Sequence, residues 1–266
     1  MTASLPVLRF SHFGPQVRHG ISTRQGGVSP APFDSLNLSG KVGDEPANAA
    51  ENRERVVRTV TGQPEERLVV LTQVHGARVV CASAADSGRG ILPDVPLPEE
   101  ADGLITNEPG VPLQVLAADC VPLLLWDPVH HAIGAVHAGW RGTVAGTAVA
   151  AVKLMSQAYE SRPGDLRVGI GPCIRACCYE VDAPVLDALA AGHPGLARRV
   201  TRPVRSGYAM FDLQEANRLQ LLALGVPTDA IEVMPTCTFC ASDTLFSDRK
   251  AARRTGRFGA LIMLAE

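Results

Sequence analysis

The sequence predicts an α+β fold, with mixed β-sheets covered by helices in one domain spanning residues 1–266. Three observations lead there. Short runs of strand-forming residues recur along the chain, and several are apolar throughout, as strands buried on both faces are. Helical stretches lie between them, stopped by glycine or proline. Strands and helices do not alternate strictly, which argues against a doubly wound parallel sheet.

Helix 47–61 ends at Gly62, and strands follow at 68–71 and 77–81. Residues 82–102, rich in Asp, Gly, Pro and Glu, read as an excursion loop between strands and not as a domain boundary. Apolar strands are expected at 111–116, 121–126 and 132–136, then a helix over 143–159 that stops near Pro163. After a strand at 166–170 come helices at 183–191 and 213–224, closed by Gly192 and Gly225. The second has the clearest start: Asp212 stands at the N-cap and Glu215 follows three residues on, a capping-box arrangement. Strands at 231–234 and 258–264 complete the set.

With 266 residues, 46% of them hydrophobic and 20% charged, the chain can bury a full core. A formal net charge of -2 and a pI near 6.4 give no basic excess to hold a phosphate backbone, so a small molecule is a better partner than nucleic acid. The longest apolar stretch, 111–126, is interrupted by Asp119, and the opening Met-Thr-Ala-Ser-Leu-Pro lacks a charged n-region followed by an apolar core. Neither a membrane span nor a secretory signal is expected, and the location read from this is cytoplasmic. The 7 cysteines, odd in number and irregularly spaced, are expected as reduced thiols. Cys237-Thr-Phe-Cys240 is a C-x-x-C, a redox pair or half of a zinc site, but no second C-x-x-C completes a four-cysteine knuckle.

His75 lies in Gln73-Val-His-Gly, where a strand ends, a glycine permits a sharp turn and another strand begins. Cys120 follows Asp119 inside an otherwise apolar run, where a carboxylate is costly unless hydrogen-bonded or paired. The ordinary readings are a turn histidine and a small core thiol. His137 is more informative, because His137-Ala-Gly-Trp-Arg-Gly leads from an apolar strand through a glycine-bracketed turn into a long helix. Gly139 and Gly142 allow close backbone approach, the helix start near Thr143 offers free N–H groups, and Arg141 carries a fork suited to phosphate or carboxylate. That pattern is an anion cradle or an ordinary strand-to-helix turn. Two His and one Cys at strand ends match the ligand set of a catalytic zinc, though spacing alone does not require them to converge. His12, His19, His130, His131 and His193 read as surface or turn residues, and Trp126 and Trp140 as packing residues.

These motifs resemble the YfiH/YlmD family, described variously as laccase-like polyphenol oxidases, purine nucleoside phosphorylases and peptidoglycan editing factors. The resemblance runs from Thr23-Arg-Gln-Gly-Gly and Ser35-Leu-Asn through Gln73-Val-His-Gly, Ala101-Asp-Gly, Ala118-Asp-Cys-Val-Pro and His137-Ala-Gly-Trp-Arg-Gly. It continues to Tyr179-Glu-Val, Phe211-Asp-Leu, Cys237-Thr and Phe246-Ser-Asp-Arg. It implies a sandwich of mixed sheets flanked by helices, with zinc on His75, Cys120 and His137. The implied activity is phosphorolysis of adenosine, inosine, guanosine and methylthioadenosine, with hydrolytic deamination of adenosine. Purine nucleosides and phosphate are then the partners. Fitted to those reactions, Asp119 is the candidate proton shuttle, with Cys120 as a second, while Arg141, Arg24 and the N–H groups near Gly142 are candidates to hold phosphate. Asn37 and Gln73 join them as candidate substrate-binding residues.

Two other enzyme readings use the same residues. One is a hydrolase that edits peptidoglycan precursors, with Cys120 as nucleophile and His75 or His137 as base. The other, a copper-dependent polyphenol oxidase, is disfavoured because 7 histidines cannot furnish a coupled multicopper cluster. A zinc-stabilised binding domain without turnover would instead need a closed, four-ligand site.

Overall fold

In a computed structural model of the chain, which describes residues 5–92, 95 and 99–266, the strands gather into three sheets. The largest has six, in the order Ile231–Val233, Arg167–Ile170, Val121–Asp127, Ala132–Ala138, Gly103–Thr106 and Val79–Cys81. Its outermost pairs are parallel and its inner pairs antiparallel, so the sheet is mixed. A four-stranded antiparallel sheet is built from Val7–Leu8, Val17–Ser22, Phe258–Leu264 and Leu113–Ala117. The third joins Thr201–Arg205, Tyr208–Phe211 and Glu180–Val181.

Period-two alternation sorts the central strands into layers. Leu123, Leu125, Val136 and Ala138 pack on one face against Ala148, Ala151, Val152 and Met155 of the Thr147–Tyr159 helix. Leu124, Trp126, Ile133 and Ala135 pack on the other against Val115, Phe258, Ala260 and Ile262 of the four-stranded sheet. Burial on both faces is why these strands are apolar throughout. On the far side of the four-stranded sheet, Val56, Val57 and Val60 of the Pro46–Thr61 helix cover Leu261. The architecture is therefore two packed sheets with helices outside each, as the α+β expectation had it.

Several local expectations change. The helix expected over 143–159 is two helices, Trp140–Ala145 and Thr147–Tyr159, because Gly146 adopts a left-handed φ of 80° and ends the first. Residues 68–71 make only an isolated bridge, Val69 to Leu113, because further along it is the side-chain amide of Gln73, not backbone, that pairs with both N–H and C=O of Leu116. Asp212 does cap its helix, accepting from the Glu215 N–H at 3.0 Å, but the Glu215 carboxylate pairs with Arg218 and leaves the box one-sided. His19 is not a surface residue: it is 5% exposed, packed on Phe10 and Phe13, and its Nε2 accepts from the Phe10 N–H at 2.9 Å. Its strand, Val17–Ser22, is an addition to those expected, because Arg18-His19-Gly20 interrupts the apolar pattern.

Among the described residues no helix is long and apolar enough to cross a membrane. Residues 1–4 of the opening segment, and 93, 94 and 96–98 of the expected loop, lie outside the described residues.

Candidate metal centre and substrate pocket

Strand register brings two of the three candidate ligands together. Val121 pairs with Ala138 and Pro122 with His137, so Cys120, one step before the strand, lies beside the turn that leaves His137. His75 arrives from the other side on the Val74–Gly76 turn, with φ of 62°. The Nδ1 or Nε2 and Sγ atoms of His75, Cys120 and His137 lie within 4.8 Å of one another, and the two imidazole rings stand nearly perpendicular at 84°. His137 is buried, Cys120 half-buried and His75 exposed, so the group runs from the core out to solvent.

Asp102 organises both histidines. One oxygen, Oδ1, lies 2.8 Å from His137 Nδ1 and accepts from the His75 N–H at 3.0 Å. The other accepts from the Gly76 N–H at 2.6 Å and the Val74 N–H at 3.3 Å. With Nδ1 of His137 committed to a carboxylate, Nε2 is the nitrogen left to bind a cation, the arrangement that orients metal-ligating histidines. Burial opposes ionisation of Asp102, but His137 and the Gly76 and His75 N–H groups outweigh it and hold the carboxyl below its usual range.

Burial alone would raise the Cys120 thiol; the charge of His137 and hydrogen bonds with both histidines pull it down to about 6 instead. Burial equally disfavours the His137 imidazolium, yet the Cys120 thiolate and Asp102 lift it to about 9. Both shifts favour thiolate and imidazolium over the neutral pair, leaving a proton that a cation can displace, as ligand sets require. Space is kept beside them by Gly139, where a Cβ would stand 3.0 Å from both Cys120 Sγ and His75 Cδ2. Two imidazoles and a thiolate, with a carboxylate behind one imidazole and no fourth ligand among the described residues, fit a zinc ion that keeps a position for water or substrate.

The three residues open into a cavity of about 1170 Å³. Its wall carries Lys41, Arg53, Arg141, Arg249, Arg253 and Arg257. Arg53 and Arg257 are paired with Glu65 and Asp248, whereas Lys41, Arg141 and Arg253 have no carboxylate partner among the described residues. Arg141 is steadied by stacking 4.3 Å over the Trp140 ring, and Arg249 by Tyr179 and the Glu180 carbonyl. Trp140, read as a packing residue, therefore also lines the pocket.

Other candidates from sequence fare differently. Gln73 lines the cavity, but both ends of its amide hold Leu116. Asp119 lines it too, with Thr238 and Ser247 hydroxyls on Oδ1 and the Arg249 N–H on Oδ2, so it is an anchor for loops and not a free proton shuttle. Arg24 is not in the cavity: its guanidinium bonds to the Asp34 and Ser242 carbonyls, pairs with Asp34 and covers Phe246. Asn37 is fully buried, bonded to Ser39, Asp44 and the Arg257 N–H. Gly142 is a packing contact, since a Cβ there would meet the Gly76 carbonyl at 2.8 Å, and the six-residue helix around it is no anion cradle. Asp102 was not among the candidate site residues, although the cost of burying a carboxylate before the apolar Gly103–Thr106 strand marks it as it marks Asp119.

The family described as multi-copper polyphenol oxidoreductase laccase matches residues 18–265. The purine nucleoside phosphorylase YlmD of Geobacillus stearothermophilus is 41% identical over 243 residues, 91% of this chain and 88% of that protein. A purine nucleoside phosphorylase of Bacteroides thetaiotaomicron is 34% identical over 248 residues, 93% of this chain and 92% of that one. Among solved structures, the Bacillus licheniformis hypothetical protein YfiH superposes with a TM-score of 0.93 at 33% identity, over 99% of this chain and 98% of that one. YlmD from Geobacillus stearothermophilus gives 0.88 at 36% identity, over 98% and 100%.

Proposed function

The chain belongs to the multi-copper polyphenol oxidoreductase laccase family, with YfiH and YlmD among its relatives, and we propose that it is a cytoplasmic zinc-dependent purine nucleoside phosphorylase that also deaminates adenosine. The observation that carries this reading is the convergence of His75, Cys120 and His137 in a cavity whose wall presents Lys41, Arg141 and Arg253, which have no carboxylate partner among the described residues. The volume suits a nucleoside with phosphate beside it. Residues 1–266 act as one domain in this reading.

In phosphorolysis a phosphate oxygen bonds to ribose C1′, the glycosidic electron pair passes to the base, and the purine leaves with a proton from solvent. Arg141, Lys41 and Arg253 bind the phosphate and set its line of approach, which lowers the entropic part of the barrier. Arg249, held by Tyr179, closes the same wall. In deamination water adds at purine C6 and ammonia departs. His75, Cys120 and His137 would hold a zinc ion, which would supply Lewis acidity for activating water. Asp102 keeps His137 in the ligating tautomer and fixes the His75 turn. An oxidase reading lacks ligands: the other cluster of potential ligands among the described residues is four cysteines, with no further imidazoles for a coupled copper centre.

A second reading has one specific support. Cys120, His137 and Asp102 form a thiolate, imidazolium and carboxylate series of the kind that activates a cysteine nucleophile, as an amide hydrolase acting on cell-wall precursors would use. Mass-spectrometric product analysis separates the two. Metal-quantified protein is given inosine or adenosine with and without phosphate, beside Cys120→Ala. Phosphate-dependent free base with ribose 1-phosphate, absent in the variant, supports the phosphorylase; parent and variant behaving alike, or no turnover, removes it and favours the hydrolase.

A further inference from the structure

The C-x-x-C at Cys237 and Cys240 lacks a second C-x-x-C in sequence, but the fold supplies the missing half from two adjacent residues. Cys177 and Cys178 sit on the turn after the Arg167–Ile170 strand, and the sulfurs of Cys177, Cys178, Cys237 and Cys240 all lie within 4.8 Å of one another. Cys178 Sγ is 3.3 Å and Cys177 Sγ 3.9 Å from Cys240 Sγ. A zinc ion with Zn–S bonds of about 2.3 Å spaces its sulfurs roughly 3.8 Å apart, so the spread of these sulfurs brackets a tetrahedral edge. It is far from the length of about 2.0 Å that joins sulfurs in a disulfide.

We propose that Cys177, Cys178, Cys237 and Cys240 form a second metal site, a structural zinc held by four thiolates and separate from the His75, Cys120 and His137 group.

Backbone geometry agrees. The Cys237–Cys240 segment closes into a turn through the Ala241 N–H to the Cys237 carbonyl, at 2.9 Å. Backbone N–H groups of Arg175, Phe239 and Cys240 are directed at the Cys237 sulfur. Donors from the residues two and three places on are what a sulfur needs when it shares a dication with other anions. The flanking residues are themselves tied down, Arg175 to the Pro235 carbonyl and the Phe239 ring beneath Lys250. An all-thiolate set selects zinc over the hard cations.

The position gives the site a task. The two segments already touch through the Cys173 to Cys237 bridge and the Thr238 N–H to the Cys173 carbonyl, at 3.0 Å. Thr238 then reaches Asp119, next to Cys120, while Tyr179 and Arg249 on either side line the pocket. Zinc on the four cysteines clips together two loops of the cavity wall. The inference does not depend on the nucleoside reading, since it concerns how the wall is held and not what occupies it.

The test is metal stoichiometry on full-length protein purified in zinc-containing medium without chelators. About two zinc ions per chain are expected, falling by one in Cys177→Ser/Cys240→Ser and separately by one in Cys120→Ala. Cobalt(II) added to chelator-treated protein gives a readout that does not depend on the double variant folding. An intense thiolate-to-cobalt charge-transfer band with tetrahedral d–d absorption should persist in Cys120→Ala. A single zinc in the parent that the double variant retains, loss of the cobalt bands in Cys120→Ala, or a Cys178 to Cys240 disulfide in a non-reducing peptide map each overturns the proposal.

Discussion

Asp102 Oδ1 sits 2.8 Å from His137 Nδ1 and, through the same oxygen, takes the backbone N–H of His75 at 3.0 Å, so one carboxylate sets the orientation of one ligand and the backbone of the other. That dual role predicts the effect of Asp102→Asn. The amide keeps the shape and one acceptor oxygen, but loses the charge that fixes His137. Zinc affinity, measured by competition with a chromophoric chelator, should fall roughly 10–100-fold, the usual range for such supporting partners. Unchanged affinity would leave Asp102 with a purely structural role at the Val74–Gly76 turn.

Gly139→Ala tests the space beside the ligands. Its Cβ would stand 3.0 Å from Cys120 Sγ and from His75 Cδ2, so ligand atoms rather than the core must give way. Metal affinity should drop while the melting temperature of chelator-treated protein changes by only a few degrees. A larger loss of stability than of affinity would mean that the glycine serves packing, as Gly142 does against the Gly76 carbonyl.

The difference between those two glycines shows what sequence could and could not convey. His75, Cys120 and His137 were legible because each interrupts or ends an apolar run, and a polar residue there carries a burial cost that needs a reason. The layered sheets were legible for a related reason: runs such as 121–126 can be apolar throughout only if both faces are covered. Convergence was not legible, because it depends on the pairing of Pro122 with His137 and on Asp102 meeting a turn 26 residues earlier. The partners of Cys237 and Cys240 were hidden likewise, since adjacent cysteines at 177 and 178 match no ligand spacing and meet the C-x-x-C only in the fold. Arg24 misled in the opposite sense: an arginine in a glycine-rich segment looks available, and its three carbonyl and carboxylate contacts are all tertiary.

Arg141 stacks on Trp140 with no carboxylate partner among the described residues, which leaves its fork free for an anion. Arg141→Ala should raise KM for phosphate roughly 10–100-fold, as loss of about 1.5–3 kcal/mol from a charged hydrogen bond requires. KM for the nucleoside should change less. Normal phosphorolysis in this variant, titrated against phosphate, would move the anion site to Lys41 or Arg253.

His19 predicts how stability depends on pH away from the site. Burial lowers its pKa below 6.5, with the Phe10 N–H on Nε2 and the charges of Arg9 and His12 nearby. His12 in turn faces Glu232 at 2.7 Å. The unfolded chain, with His19 at its ordinary value, binds this proton more readily than the folded one. Stability from neutral His19 is therefore complete above about pH 6.5 and is lost as pH falls from there through the lower folded value. One group limits the slope to about 1.4 kcal/mol per pH unit. Denaturant midpoints between pH 8 and pH 5 should fall in the parent and fall less in His19→Gln, whose amide oxygen can still accept from Phe10. Parallel profiles would show that the proton enters elsewhere, and not at Glu232 or Asp127, whose lowered values place their loss further into acid than this range.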